Sequence, residues 1–349
     1  MPSLSFAPPS LCAPLLLSLP PTVTHLDVPP LFRSRFVLGG YRQVGQPWQR
    51  YLLSLLQLHN DSLTVWSPLL AAAVVSLRFL MFAVLAGGGV LGFRLQGPEG
   101  QGLSADVSSL PLVLYVFSAL AYLGCSAAAH LLQPHSERAH YSLFFLNNVG
   151  GAIYLYSCAL ALHLYSSDAA WTQSFLGKIF LPAAAVLSWT SCAASCYVKV
   201  RSGWTCTFHR KLYSLTTISS ISPIFHRLAT HSWTSSPTPS LHLLQVALSL
   251  LSAFFFSCSS PERLSPGSFD FLGHSRQLFH VLLSLCTVVQ QEALFRDFLW
   301  RRPALARLFG AERLLLACTS FLWLTSCCGM AALALRSRLQ NRTSTAAEA

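Results

Sequence analysis

Two short stretches of the 349-residue chain carry side chains with chemical capability. In CSAAAH, residues 125–130, Ser126 and His130 lie four apart and share one face of a helix. In RQLFH, residues 276–280, Arg276 and His280 have the same spacing. A third stretch, YSLFFLNNVGGAIY, places Asn147 and Asn148 within an apolar run, where an amide must find partners inside a bundle. Three histidines and a nearby acid drawn from such positions would make a zinc site. Zinc takes neutral imidazole nitrogens in tetrahedral geometry and keeps a fourth place for water. That water then has a pKa of about 7 and attacks an amide, with a Ser and an acid moving protons. An HxxxH pair would be the signal; here the pair reads RxxxH. Arginine stays protonated and has no lone pair for a metal. His274, two residues before Arg276, falls on another helix face and is a poor substitute ligand. The plainer alternatives are an interfacial His130 and an Arg276 that snorkels to lipid headgroups.

These residues need helices to position them, and the composition says which kind. The chain is 53% hydrophobic and only 10% charged, with mean hydropathy +0.50. Soluble domains carry about 25% charged residues, so this is a membrane protein. The excess of Lys and Arg (23) over Asp and Glu (12) reads as loops facing anionic lipid, not as a nucleic-acid surface. The cysteines lie mostly inside apolar runs without a CxxC pair and read as small buried hydrophobes. The opening segment, MPSLSFAPPSLCAPLLLSLPP, has no basic start and is broken by Pro14, so it reads as an irregular leader and not as a signal peptide.

Crossing the hydrocarbon takes about 20 apolar residues. Spans are expected near 64–86, 110–132, 141–164, 179–198, 207–229, 241–259, 276–298 and 312–335. The fifth is rich in Ser and Thr, whose hydroxyls would need bundle partners. The expected fold class is all-α: a polytopic helical bundle over 64–335, a cytosolic segment over 1–63 and a tail over 336–349. Arg33, Arg35, Arg42 and Arg50 before the first span, and Lys199, Arg201, Arg210 and Lys211 after the fourth, favour a cytosolic N-terminus. The group Arg296, Arg301, Arg302, Arg307 and Arg313 points the other way. Asn60-Asp61-Ser62 and Asn341-Arg342-Thr343 are glycosylation sequons that this topology leaves unused. Arg78, in mid-span, must turn inward or snorkel. With the N-terminus inside, His130, Asn147, Arg276 and His280 come to similar depth, so three distant segments can converge.

The motifs also resemble a known family. DVPPLF (27–32), GYR (40–42), LHNDSLTVW (58–66), SAAAHLLQPHSERAHYSLFFLNNVG (126–150), SSDAAW (166–171), FLPAAA (180–185), ISPIFHR (221–227) and PERLSPGSFDFLGHSRQLFH (261–280) occur in the order seen in the progestin and adipoQ receptor family. Within it, the membrane progestin receptors of the alpha and beta type are the most similar in pattern. The resemblance implies seven core helices, here with a C-terminal eighth, a cytosolic N-terminus and residence in the plasma membrane. It also implies a polar core of a Ser, an Asp and three His around zinc, as in alkaline ceramidases. Carried onto this chain, the Ser is Ser126 and two of the His are His130 and His280. Asn147 stands at the Asp position and Arg276 at the third ligand position. Thr64, Ser67, Pro68 and Ser220 depart from family residues as well.

A charge count suggests what replaced the metal. Zinc and Asp together would carry +1 with water bound, and Arg276 with a neutral Asn147 also carries +1. Arg276 is therefore expected to stand in for the ion, with zinc weak or absent, bracing His130, Asn147 or Glu137. The resemblance implies a membrane progestin (steroid) receptor-like protein that binds a steroid or lipid-like ligand and signals to a G protein or another cytosolic partner. The alternatives are a zinc-dependent ceramidase-like lipid amide hydrolase, weakened by Asn147 and Arg276, or a diverged non-catalytic scaffold. The missing acid and ligand lean against an enzyme.

Overall fold

A computed structural model describes residues 19–85, 107–200, 207–230 and 238–348. The opening leader to residue 18, Arg94 and Arg201 lie outside the described residues, as does the side chain of Arg307. The described residues form a helical bundle. Its helices are α1 (Trp48–Leu53), α2 (Ser62–Leu85), α3 (Leu110–Leu132), α4 (Glu137–Ala161), α5 (Ala169–Gln173), α6 (Phe175–Val200), α7 (Thr207–Ser220), α8 (Ser222–Ala229), α9 (Pro239–Ser257) and α10 (Ser275–Glu348). Gly310 breaks α10 with φ 69°, a left-handed conformation that suits glycine. The break separates two apolar limbs, Ser275–Arg302 and Phe309–Asn341. Both limbs, with α2, α3, α4, α6 and α9, are long and apolar enough to cross a membrane.

The fifth expected span needs correction. Residues 207–229 form two helices, broken at Ile221 with φ −93° and ψ 0°. Pro223 accounts for the break: it lacks an N–H and its ring crowds the preceding turn. The hydroxyls mostly bond to their own helix. Thr216 donates to Leu212 O at 2.8 Å and Thr217 to Tyr213 O at 3.0 Å. Ser214 reaches α9, with its Oγ 2.8 Å from Ser257 Oγ.

Helix α4 is the axis of the bundle. Every residue from 150 to 167 is buried, as expected of a helix apolar on all sides. Gly150 and Gly151 let α3 approach: a Cβ at Gly150 would lie 3.3 Å from Tyr122 Cα. Helix α10 packs on α2, α3, α4, α6 and α9. The lipid-facing residues are large and apolar, including Leu77, Leu80 and Met81 on α2 and Leu316, Leu322 and Trp323 on the second limb of α10.

Several arginines that oppose the expected topology have structural partners. Arg296 pairs with Glu292 at 2.8 Å, and Glu292 also takes Arg78 at 2.9 Å, so Arg78 turns toward α10. Arg227 donates to Ser166 O at 2.9 Å, and Arg301 donates to the carbonyls of Tyr165 and Ser167. These carbonyls close the π-helical turn Leu162–Ser166 after α4, where orphan acceptors and the helix dipole both favour a cation. Asp297 gathers the same end: Thr238 Oγ1 and His242 Nε2 lie at 2.7 Å and 2.8 Å from its carboxylate.

Candidate functional site

At the opposite end of α4, the chain before α2 builds one wall of a polar site. Arg42 is buried and donates to His130 O at 2.7 Å and Leu131 O at 2.8 Å, capping the C-terminus of α3. It also donates to Ser54 Oγ at 3.1 Å. The PERLSPGSFDFLGH segment acts as a clamp. Glu262 accepts from Ser275 N at 2.8 Å and from the Ser275 hydroxyl, anchoring the first turn of α10. Asp270 accepts from Leu38 N at 2.9 Å. Gln277 donates to Asn60 O at 2.8 Å, and His274 Nε2 donates to the same oxygen at 2.9 Å. That bond ties His274 Nε2 to the backbone of the segment before α2.

The clamp brings the histidines together with a carboxylate that motif reading passed over. Asp61 is buried at the start of α2. Its carboxylate lies 3.7 Å from Arg276 Nη1, 3.8 Å from Arg42 Nη2 and 3.9 Å from His130 Nδ1. Burial alone would raise its pKa; His130, Arg276 and Arg42 outweigh burial and hold it at about 2. Arg276 therefore braces against Asp61, and Glu137, one of its expected partners, is exposed. The His130 and His280 rings meet edge to face with centroids 4.6 Å apart. Ser126 Oγ sits 3.4 Å from His280 Nδ1. Asn147 Oδ1 and His130 Nδ1 are buried without a hydrogen-bond partner among the described residues. Asn148 turns its amide to Phe144 O at 2.9 Å.

These residues do not fit zinc. Among the described residues, no group of three His, Cys, Asp or Glu side chains is placed to hold a metal ion. The donor set beside His130 and His280 is a guanidinium, which repels a metal cation, and a neutral amide. Asp61 is already engaged by positive charge from two arginines.

His59, buried beside this network, gives the site a pH response. Burial and the Arg42 charge push its imidazole down to about 3, and its Nδ1 accepts from Asp61 N at 3.1 Å. The folded protein thus holds His59 neutral while the unfolded chain takes a proton near pH 6.5. Stability falls as pH drops from 6.5 toward 3, by roughly 1 kcal/mol between pH 6.5 and 5.5. Asp61 has the reverse sign: its contribution is present above about pH 4 and is lost below it. Thermal unfolding of the purified protein at pH 7.5 and 5.5 checks the first window. His59→Gln is expected to flatten the slope; an unchanged slope would contradict the assignment.

A cavity of about 530 Å³ opens onto the site, with His130, Asn147, Arg276 and His280 in its wall. Tyr122, Leu155, Phe256 and Phe279 give it an apolar side. The sequence compares with known proteins in a consistent way. The family model for "Haemolysin-III related" matches residues 56–291. Human membrane progestin receptor beta is 40% identical over 335 residues, covering 94% of this chain and 90% of the receptor. Human membrane progestin receptor alpha is 40% identical over 291 residues, 81% of this chain and 78% of the receptor. Membrane progestin receptor alpha of Cynoscion nebulosus is 37% identical over 330 residues, with 93% and 89% covered. The helical membrane bundle, the polar core at one end of it and a match spanning most of the sequence together make this chain a member of the haemolysin-III-related family, alongside the membrane progestin receptors.

Proposed function

We propose that this protein is a progestin receptor-like membrane protein that binds a steroid or lipid-like ligand in the cavity beside Arg276 and reports its occupancy to the cytosol. The observation that carries this reading is the cavity itself: about 530 Å³, apolar on one side, with convergent polar groups at the other. Its size is in the range of small-molecule sites. The relatives named as progestin receptors support the ligand class. The N-terminal segment and the clamp would face the cytosol, and the plasma membrane is the proposed residence. The Arg276–Asp61 pair would couple ligand to conformation, because it joins the segment before α2 to the start of α10. A G protein or another cytosolic partner would read that movement.

Lipid amide hydrolysis is the less supported reading. It needs a metal-bound water and an acid, whereas the site offers Arg276 and Asn147 in their places. Saturable binding of a labelled progestin by detergent-purified protein tests the proposal, with ceramide turnover measured on the same sample. Binding without turnover is expected. Release of sphingosine that His130→Ala abolishes would overturn it.

A further inference from the structure

The cavity wall carries more positive charge than a neutral ligand requires. Arg33, Arg35, Lys199, Arg210 and Arg276 all line it, against one carboxylate, Glu262, which is spent on Ser275. Asp61 behind the wall is shared between Arg42 and Arg276, so it neutralises only one of the two. The two arginines are used differently. Arg42 spends its N–H groups on two carbonyls and a hydroxyl. Arg276 makes no hydrogen bond among the described residues, and its side chain is 40% exposed, with the cavity beside it. His130 Nδ1 and both ring nitrogens of His140 are buried, make no hydrogen bond among the described residues, and belong to side chains lining this same cavity. Buried polar atoms in that condition are costly unless a ligand meets them. The apolar wall of Tyr122, Leu155, Phe256 and Phe279 completes an amphipathic site.

We propose that the preferred occupant is an anionic amphiphile: a sulfate or phosphate monoester head on a flat or chain-like apolar body. The head sits against Arg276, whose forked N–H groups match two oxyanion oxygens, with Lys199 supplying a second charge. His130 and His140 donate N–H groups to the same oxygens. The body lies along the aromatic wall. The Arg276 guanidinium then acts directly as the anion receptor. This inference rests on the cavity being the ligand site, and it names the head group that the site selects.

Equilibrium binding to the full-length protein in uncharged-lipid nanodiscs tests it with two matched pairs of probes. These are pregnenolone sulfate against pregnenolone, and oleoyl lysophosphatidate against monoolein. Each anion is expected to bind about tenfold or more tightly than its neutral partner, and to weaken as salt rises. Arg276→Gln and Lys199→Gln are each expected to weaken anion binding about tenfold, with Arg276→Lys retaining part of the preference. Lys199 lies outside the Asp61 network, so its variant reports on charge even if Arg276→Gln unfolds. Equal affinity within both pairs, or anion binding indifferent to both variants, overturns the inference and leaves the receptor reading standing. A preference confined to lysophosphatidate supports the inference and removes the steroid. Failure of both anions to bind overturns the inference.

Discussion

The Asp61→Asn variant is expected to lose about 3 kcal/mol of stability, the cost of breaking a buried ion network by removing one partner. The carboxylate lies within 3.9 Å of Arg42, His130 and Arg276. The amide leaves two guanidiniums facing each other across a buried site with no anion between them. Arg42 cannot leave, because it also caps α3 through the carbonyls of His130 and Leu131. Arg276, 40% exposed beside the cavity, can swing away while His274 and Gln277 keep α10 on Asn60 O, so ligand binding should fall with stability. Thermal unfolding in detergent measures the first effect. Asp61→Glu, which restores the charge, should recover most of the loss. A variant as stable as the parent would show that the network is not a structural tie.

The second large effect is a gain. Arg276→His combined with Asn147→Asp is expected to create a site that takes up zinc, because His130 and His280 already face one another beside position 276. Removing the guanidinium deletes the charge that repels a metal, and the two substitutions add a neutral imidazole and a carboxylate. Metal analysis after dialysis should find zinc near one per chain in the double variant. Arg276→His alone, with its amide unchanged at 147, should bind more weakly, since a supporting carboxylate is worth about 10–100-fold in metal affinity. Zinc at background level in the double variant would mean that position 276 does not face His130 and His280.

Hydropathy located the crossings well because each long helix is apolar over a membrane thickness. It failed at 207–229 because composition registers the length of that stretch but not the break that Pro223 imposes at Ile221. The convergence of His130, Asn147, Arg276 and His280 could be anticipated from alternating topology alone. Asp61 could not be found that way. It sits in the sequon Asn60-Asp61-Ser62, and its importance comes from a clamp made 214 and 217 residues later by His274 and Gln277 on Asn60 O. A carboxylate kept at the mouth of the first span, next to His59, was the available signal. Arg42 was similarly hidden. Counted as a loop charge that sets topology, it is instead buried, ending α3. The arginines near residues 296–301 looked like a violation of charge bias; Arg296 and Arg301 are tied to Glu292 and to the carbonyls after α4. Charge bias counts residues and cannot see which of them are already paired.

We propose that the protein's own Arg276 guanidinium is the fixed cation of this site. It is tested most directly by the zinc content of purified, unsubstituted protein that binds its ligand saturably. The expected result is full binding competence with zinc far below one per chain, unchanged after chelation. Stoichiometric zinc whose removal abolished binding would contradict it.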